Sequence, residues 1–182
     1  TNGSGYGLDM TGAIALPALS SPTFNVVNAT ASNVVQGLTF SGLMSGGVAG
    51  GAAFIKTGAG TLVLNNAANS FGGPGSFIDI QNGVLSVSNA ASLGSANNAI
   101  LLNPSSGLVA TFRANGNMTL DGTTPTLKFG SLSTADARRI EVSEGRTLTL
   151  NSAFDVTAAT GAILQKAEKG TVVFGSAVNN TA

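Results

Sequence analysis

The sequence of 182 residues contains no cysteine, no histidine and no tryptophan. These absences exclude disulfide bonds, zinc sites built from Cys and His, and acid–base catalysis by an imidazole ring. No stretch approaches the ~20 consecutive apolar residues of a membrane-spanning helix, and no signal peptide is visible. Since the chain begins with Thr1, we expect a mature or trimmed product.

Charge is also scarce, at 9% of residues, and eight basic residues balance eight acidic ones. The basic residues are scattered and offset by acids, so they form no basic stripe for nucleic acid. The 25 glycines and the many Asn, Ser and Thr residues supply the polarity instead. This composition resembles extracellular fibres and repeat proteins more than cytosolic enzymes. We expect stability from burial and backbone pairing, with no cofactor and no nucleic-acid partner.

Short apolar runs alternate with turns almost without pause. Many runs show the period of two that is typical of a half-buried strand. The predicted strands are 23–27, 37–40, 61–64, 76–80, 83–88, 99–102, 108–112, 118–120, 126–129, 139–142, 147–150, 154–156, 162–164 and 171–174. Residues 133–139 are the best candidate for a short helical turn. Strands this short suit the faces of a coil.

Glycine and asparagine occupy most of the turns, and both residues tolerate the positive φ that sharp corners need. The Asn82-Gly83 pair alone indicates a two-residue hairpin. However, the same cadence of strand, Gly/Asn turn and strand continues along nearly the whole chain. A parallel β-solenoid, with coils stacked at ~4.8 Å, explains this cadence in one architecture. The alternative is a β-sandwich or jelly roll.

One stretch carries a motif with several fixed spacings. It consists of a Lys-x-Gly-x-Gly-Thr-Leu run, an Asn-bearing turn, a Gly-Gly corner, an apolar strand, a Gly-x-Leu strand and a Leu-Gly end. Its residues are Lys56, Gly58, Gly60, Thr61, Leu62, Asn69, Gly72, Gly73, Phe77, Ile78, Ile80, Gly83, Leu85, Leu93 and Gly94. This motif resembles the autotransporter-associated β-strand repeat, also called the passenger-associated transport repeat. The best copy covers residues 54–102.

The resemblance implies a right-handed parallel β-helix in a protein of the bacterial cell surface or the extracellular space. Such repeats usually form the stalk of an autotransporter passenger. We therefore expect an all-β fold in which residues 1–182 form a single β-solenoid domain with Gly/Asn corners. The nine phenylalanines recur at intervals that resemble coils, so we interpret them as stacked core residues rather than as a carbohydrate platform.

An enzyme is the remote alternative, since some parallel β-helix proteins cleave polysaccharides with clustered acids. One dense charged cluster is visible, formed by Asp136, Arg138, Arg139, Glu141, Glu144 and Arg146. Two of its carboxylates could serve as a paired acid and base. The simpler interpretation is a solvated strand edge, because Glu141 alternates with Ile140 and Val142. We expect no enzymatic activity, and we assign no catalytic, cofactor or metal residue.

The segment 164–182 is a poorer, partial second copy, with Glu168 in place of the first motif glycine. It stops in mid-motif, and the head of a second chain could complete it. Leu8-Asp9-Met10 would then match Ile78-Asp79-Ile80, and Gly12 would match Gly83. This match predicts head-to-tail stacking into an open filament. The predicted self-association residues are Tyr6, Leu8, Met10, Val172, Val173, Phe174 and Asn179.

Two other interpretations of the two ends of the chain remain open. The chain could be a cut from a longer passenger or adhesin stalk, in which case neighbouring repeats continue the coil. It could also be an adhesin that binds glycans along the solenoid face, although no residues can be assigned to that role. The partner is therefore either a second copy of the chain or further repeats of the same chain.

Overall fold

A computed structural model describes residues 7–27, 37–105, 107–121, 126–130, 136–151 and 163–175. These residues form an all-β structure in which parallel strands stack as a β-solenoid of about five turns, with almost no helix. The sequence-based prediction of a β-solenoid is confirmed. The sandwich and jelly-roll alternatives are wrong, because every strand pair in the described residues is parallel.

The described strands follow one another around successive coils. The first coil contains β1 (Leu8–Met10), β2 (Ile14–Leu16) and β3 (Thr23–Asn25), and the second contains β4 (Gly37–Phe40), β5 (Met44–Gly46) and β6 (Ala52–Thr57). The third contains β7 (Thr61–Leu64) and β8 (Phe77–Ile80), and the fourth β9 (Gly83–Val87) and β10 (Ala99–Leu102). The fifth contains β11 (Val109–Ala114), β12 (Met118–Leu120) and β13 (Thr126–Phe129). The winding continues through β14 (Ala137–Val142), β15 (Thr147–Leu150), β16 (Ile163–Ala167) and β17 (Thr171–Phe174).

The strands line up in three faces. The first face is a seven-stranded sheet in the order β1-β4-β7-β9-β11-β14-β16. The second face holds the pair β2-β5 and the sheet β12-β15-β17, and the third face holds β3-β6-β8-β10-β13. One turn takes between 22 residues, from Phe77 to its partner Ala99, and 32 residues, from Thr23 to its partner Ile55.

Equivalent residues of successive coils form columns inside the solenoid. On the first face, one interior column runs from Leu62 through Leu85 and Phe112 to Ile140. All four side chains are buried, because alternate residues of each strand point to the core. Burial of such a side chain typically contributes about 1.5–3 kcal/mol. The stacked columns therefore provide the cross-coil stabilisation that a chain without disulfides requires.

Aromatic rings form part of the same core from the first coil to the third. Phe24 lies 5.0 Å from Phe40 and 5.4 Å from Phe54, and Phe54 lies 5.5 Å from Phe71, all measured between ring centroids. These edge-on and tilted contacts are favourable for aromatic pairs. The interpretation of the phenylalanines as stacked core residues holds for these four. Phe174 differs, since it is 47% exposed on β17.

The second face has no strand in the third and fourth coils, where side-chain amides connect the chain instead. Asn69 accepts a hydrogen bond from the backbone N–H of Met44 (2.9 Å) in the second coil and donates one to the carbonyl of Ser92 (2.8 Å) in the fourth. Asn98 donates to the carbonyls of Phe71 (3.0 Å) and Leu93 (2.8 Å). A 3-10 helix (Ala90–Leu93) lies on this face. The asparagines thus supplement the backbone hydrogen bonds that join the coils on this face, such as the one from the N–H of Ser70 to the carbonyl of Met44 (2.9 Å).

Three local predictions differ from the structure. The helical turn predicted for 133–139 is wrong over Ala137–Arg139, which begin β14, and 131–135 lie outside the described residues. The hairpin signal of Asn82-Gly83 also fails, because β8 and β9 lie in different sheets. Gly83 has a φ of 73° and turns a solenoid corner, where an added Cβ would collide with carbonyls of the previous corner. The strands β1, β2, β5 and β6 were not predicted.

Candidate functional site: the open edges of the solenoid

The last described coil exposes part of the core. Within the described residues, β16 pairs only with β14, and β17 pairs only with β15. Four of their apolar side chains are 41–47% exposed: Ile163, Leu164, Val173 and Phe174. A pocket of about 150 Å³ opens here, lined by Ile140, Leu164, Lys166, Val172 and Phe174. We call β16, β17 and this pocket the upper edge.

The first described coil is open in the same way. Among the described residues, β1 pairs only with β4, and β2 pairs only with β5. Leu8 is 58% exposed and Met10 is 42% exposed, although their columns continue into the fully buried side chains of the third and fourth coils. We call β1 and β2 the lower edge. In the described part of the chain, both edges therefore combine strands that have a neighbour on one side only with exposed apolar surface, which is the combination that templates strand addition.

The predicted self-association residues fall on these two edges where the structure describes them. Leu8 and Met10 lie on the lower edge, and Val173 and Phe174 lie on the upper edge. Val172 is partly buried against the core below it. Tyr6 and Asn179 lie outside the described residues. The structure brings each group together at one end, while their association with one another stays a prediction.

The sequence match assigned the strand at the lower edge to the wrong face of the solenoid. The sequence aligned Leu8-Asp9-Met10 with Ile78-Asp79-Ile80, which form β8 on the third face. The structure places Leu8 on the first face instead, in the column of Leu62 and Leu85. The period-two pattern identifies a strand but does not distinguish one face from another, because all three faces alternate in the same way.

A buried lysine joins two neighbouring corners in the middle of the chain. Lys56 ends β6 in an apolar column between Phe24 and Ile80 and is 0% exposed. Its Nζ donates to the carbonyls of Thr57 (2.8 Å) and Gly58 (2.8 Å) in its own corner, and to that of Asn82 (3.0 Å) in the next. Burial lowers the pKa of Lys56 to about 8, so the side chain remains mostly an ammonium group at neutral pH.

The second copy of the motif repeats this local geometry on another face. Lys166 ends β16 in the column of Ile140, and its Nζ donates to the carbonyl of Glu168 in its own corner. Glu168 has a φ of 65°, and its counterpart Gly58 has a φ of 73°. Glu168 is the non-glycine residue with positive φ in the described part of the chain. The similarity between 54–62 and 164–172 is therefore structural, although the two segments lie on different faces.

The charged cluster of the enzyme alternative is divided among several environments. Glu141 lies on the outer side of β14, where Arg113 contacts it at 2.7 Å and Arg139 at 3.8 Å. Glu144 instead pairs with Lys169 at 3.7 Å in an exposed position. Asp136 accepts a hydrogen bond from the backbone N–H of Gly107 (2.6 Å). Each carboxylate thus has its own structural partner, and the arrangement is that of corner and strand contacts.

Arg138 was grouped with this cluster in the sequence, but it belongs to the interior. It is 0% exposed, donates to the carbonyls of Asp136 and Gly130 (both 3.3 Å), and lies over the ring of Phe129 at 5.9 Å. Its column neighbour on β11 is Ala110, whose small side chain leaves room for the long one. Sequence reasoning missed this burial, since charged side chains are rarely buried unless they are paired.

Asp79 is another charged side chain whose burial was not predicted from the sequence. It is 6% exposed on β8, in a column between Ile55 and Leu101. Burial raises the pKa of Asp79 above its ordinary value, and hydrogen bonds from Gln81 and Asn103 partly offset this effect. Within the described residues, no group of three or more His, Cys, Asp or Glu side chains could hold a metal ion.

The stacked columns and carbonyl-bonded corners define a parallel β-solenoid. Residues 54–87 match the family model described as Passenger-associated-transport-repeat, so the resemblance seen in the sequence is confirmed over that segment. The fold is consistent with an autotransporter-associated repeat protein. No curated protein and no solved structure matches the chain. No helix among the described residues is long and apolar enough to cross a membrane.

Proposed function

We propose that this chain is a non-enzymatic structural β-solenoid of the extracellular space or the bacterial cell surface, whose copies stack head to tail into a filament. The matched repeat and the solenoid fold support a passenger-like structural role. The single observation that carries the stacking is the pair of open edges. Among the described residues, the strands of each edge have a neighbouring strand on one side only, and they lie at the ends of apolar columns that are buried in the middle coils.

The two edges fit each other in spacing. At the lower edge, six residues separate Leu8 on the first face from Ile14 on the second. At the upper edge, six residues also separate the corresponding Lys166 and Val172. The first and second faces of one copy can therefore pair with the first and second faces of the next copy in the same register. The contact uses a different surface on each partner, so it is heterologous and continues without closing.

Electron microscopy and sedimentation over a range of protein concentrations test the proposal. We expect filaments whose length and amount increase with concentration. Leu8→Glu should abolish them, because it places a charge in the apolar contact. Leu108→Glu is the matched control, since Leu108 is 38% exposed just before β11, in a middle coil away from both edges. Monomers alone at every concentration, or filaments of Leu8→Glu equal to those of the parent, would contradict the proposal.

The second candidate is a stalk segment of a longer passenger or adhesin. The family match favours it, because these repeats occur in passengers, and neighbouring coils of the same chain would then cover both edges. In that case the isolated chain remains monomeric, whereas a chain extended by further repeats forms a longer solenoid. The same microscopy therefore separates the two candidates. No residue of the solenoid faces can be assigned to glycan binding.

The absence of catalysis is part of the proposal, and it has its own assay. We expect no cleavage when the purified chain is incubated with acidic or neutral polysaccharides. If cleavage occurs and disappears in the double variant Glu141→Gln with Glu144→Gln, the enzyme alternative replaces the structural one. The contact of Glu141 with Arg113 supports a structural role in joining β11 to β14.

A further inference from the structure

Lys56 shows what a lysine at the end of a strand does in this solenoid. It occupies an interior column, and its ammonium group binds two carbonyls of its own corner and one of the following coil. The third hydrogen bond crosses between coils and ties two corners together. A hydrogen bond that involves a charged group is stronger than a neutral one, and a buried carbonyl without a donor is costly. The lysine is therefore a clamp between coils.

Lys166 has the same construction at the upper edge. It occupies an interior column, lines the open pocket, and binds the corner carbonyl of Glu168. We propose that Lys166 clamps the next copy of this chain by donating to a backbone carbonyl in the corner that follows its β1, at residues 11–13. This inference rests on the proposed stacking and adds to it a register and a polar contact.

The register follows from the columns of the first face. The column of Lys166 contains Ile140, Phe112, Leu85, Leu62, Leu38 and Leu8, so continuation places Leu8 of the next copy on Lys166. The adjacent column places Asp9 of the next copy on Ala167. Asp9 and Ala167 alternate with Leu8 and Lys166 along their strands, so their side chains lie on the outer face of the sheet, at the end of the column of Arg113 and Glu141.

Cysteine cross-linking tests this register, because the chain contains no cysteine of its own. Directly paired residues lie ~4.8 Å apart, which is within the range that a disulfide bridges. Under oxidising conditions, Asp9→Cys combined with Ala167→Cys should produce a ladder of covalent multimers on a non-reducing gel. The matched control is Asp9→Cys with Gln165→Cys. It displaces one thiol by two residues to roughly 8 Å, outside the reach of a disulfide.

The outcomes separate this inference from the proposed filament. A ladder for the Ala167 pair but not for the Gln165 pair supports the register. Filaments that give no ladder with the Ala167 pair, or a stronger ladder with the Gln165 pair, overturn the register and leave the filament standing. If the parent chain forms no filaments at all, the proposed function fails together with this inference.

Lys166→Met tests the clamp itself, because methionine keeps an apolar chain of similar length without a donor. We expect the concentration needed for assembly to rise by about tenfold or more, while the melting temperature of the dispersed chain stays unchanged. Lys169→Met is the control, since Lys169 is 78% exposed and should affect neither value. Lys56→Met should instead lower the melting temperature of the dispersed chain. Assembly of Lys166→Met at an equal or lower concentration than the parent would overturn the clamp.

Discussion

The lysine corners show how one residue can connect two coils. In the motif Lys56-x-Gly58, the glycine adopts positive φ and turns its carbonyl toward the lysine Nζ, which also reaches Asn82 in the next coil. The motif was visible in the sequence, but the burial of its lysine was not. A sequence pattern does not show that backbone carbonyls will surround a cation. The motif therefore located the corner without revealing its bonding.

Asp79 gives a residue-scale prediction that depends on pH. Because burial raises its pKa, the folded protein holds the proton more tightly than the unfolded chain, whose value is near 3.8. The stability that this group contributes is therefore fully present at a pH below its pKa in the unfolded chain. It is lost as the pH rises through the higher pKa of the folded protein. We expect Asp79→Asn, which stays neutral, to melt at a higher temperature than the parent at neutral pH.

Thermal unfolding of both proteins from about pH 3 to about pH 7 provides the measurement. The difference between them should shrink as the pH approaches the lower end, where Asp79 is neutral in both states. A variant that is less stable than the parent at neutral pH would show that the carboxylate is stabilising as an anion.

At the scale of elements, asparagine side chains reinforce the second face where its coils lack strands. Asn69 connects the second, third and fourth coils through its two hydrogen bonds, and it is only 7% exposed. We expect Asn69→Ala to lower the free energy of unfolding by about 1–3 kcal/mol, because it leaves a buried N–H and a buried carbonyl without partners. Denaturant titration measures this value. Asn97→Ala, at an exposed position nearby, should change it little.

The sequence predicted most of the strands but not the faces to which they belong. Leu148 and Leu150 alternate with threonines and were predicted to form a strand, and they do. The segment from Met44 to Gly46 has no alternating apolar pattern, and its pairing with β2 arises from the coil as a whole. Leu8 was assigned to the wrong face for the same reason, because the face on which a strand lies depends on the lengths of all the corners before it.

At the scale of the whole molecule, stability should vary along the solenoid axis. Each coil contacts only its neighbours, so coils with two neighbours are held more firmly than coils with one. We expect slow amide hydrogen exchange in β7, β9 and β11, and faster exchange in β1, β16 and β17 when the chain is dispersed. After assembly, the edge strands should gain protection. Equal exchange in the middle and edge strands would contradict this expectation.

The hydrogen bonds between coils run along the axis, and this direction has a mechanical consequence. A force that pulls the two ends of the solenoid apart acts on the pairs of one coil at a time rather than on all of them together. A coil of 22 to 32 residues adds only ~4.8 Å of height when it is folded. Once released, it supplies roughly 70–110 Å of extended chain. Under tension the protein would thus lengthen in discrete steps, each one absorbing work, as a sacrificial tether does.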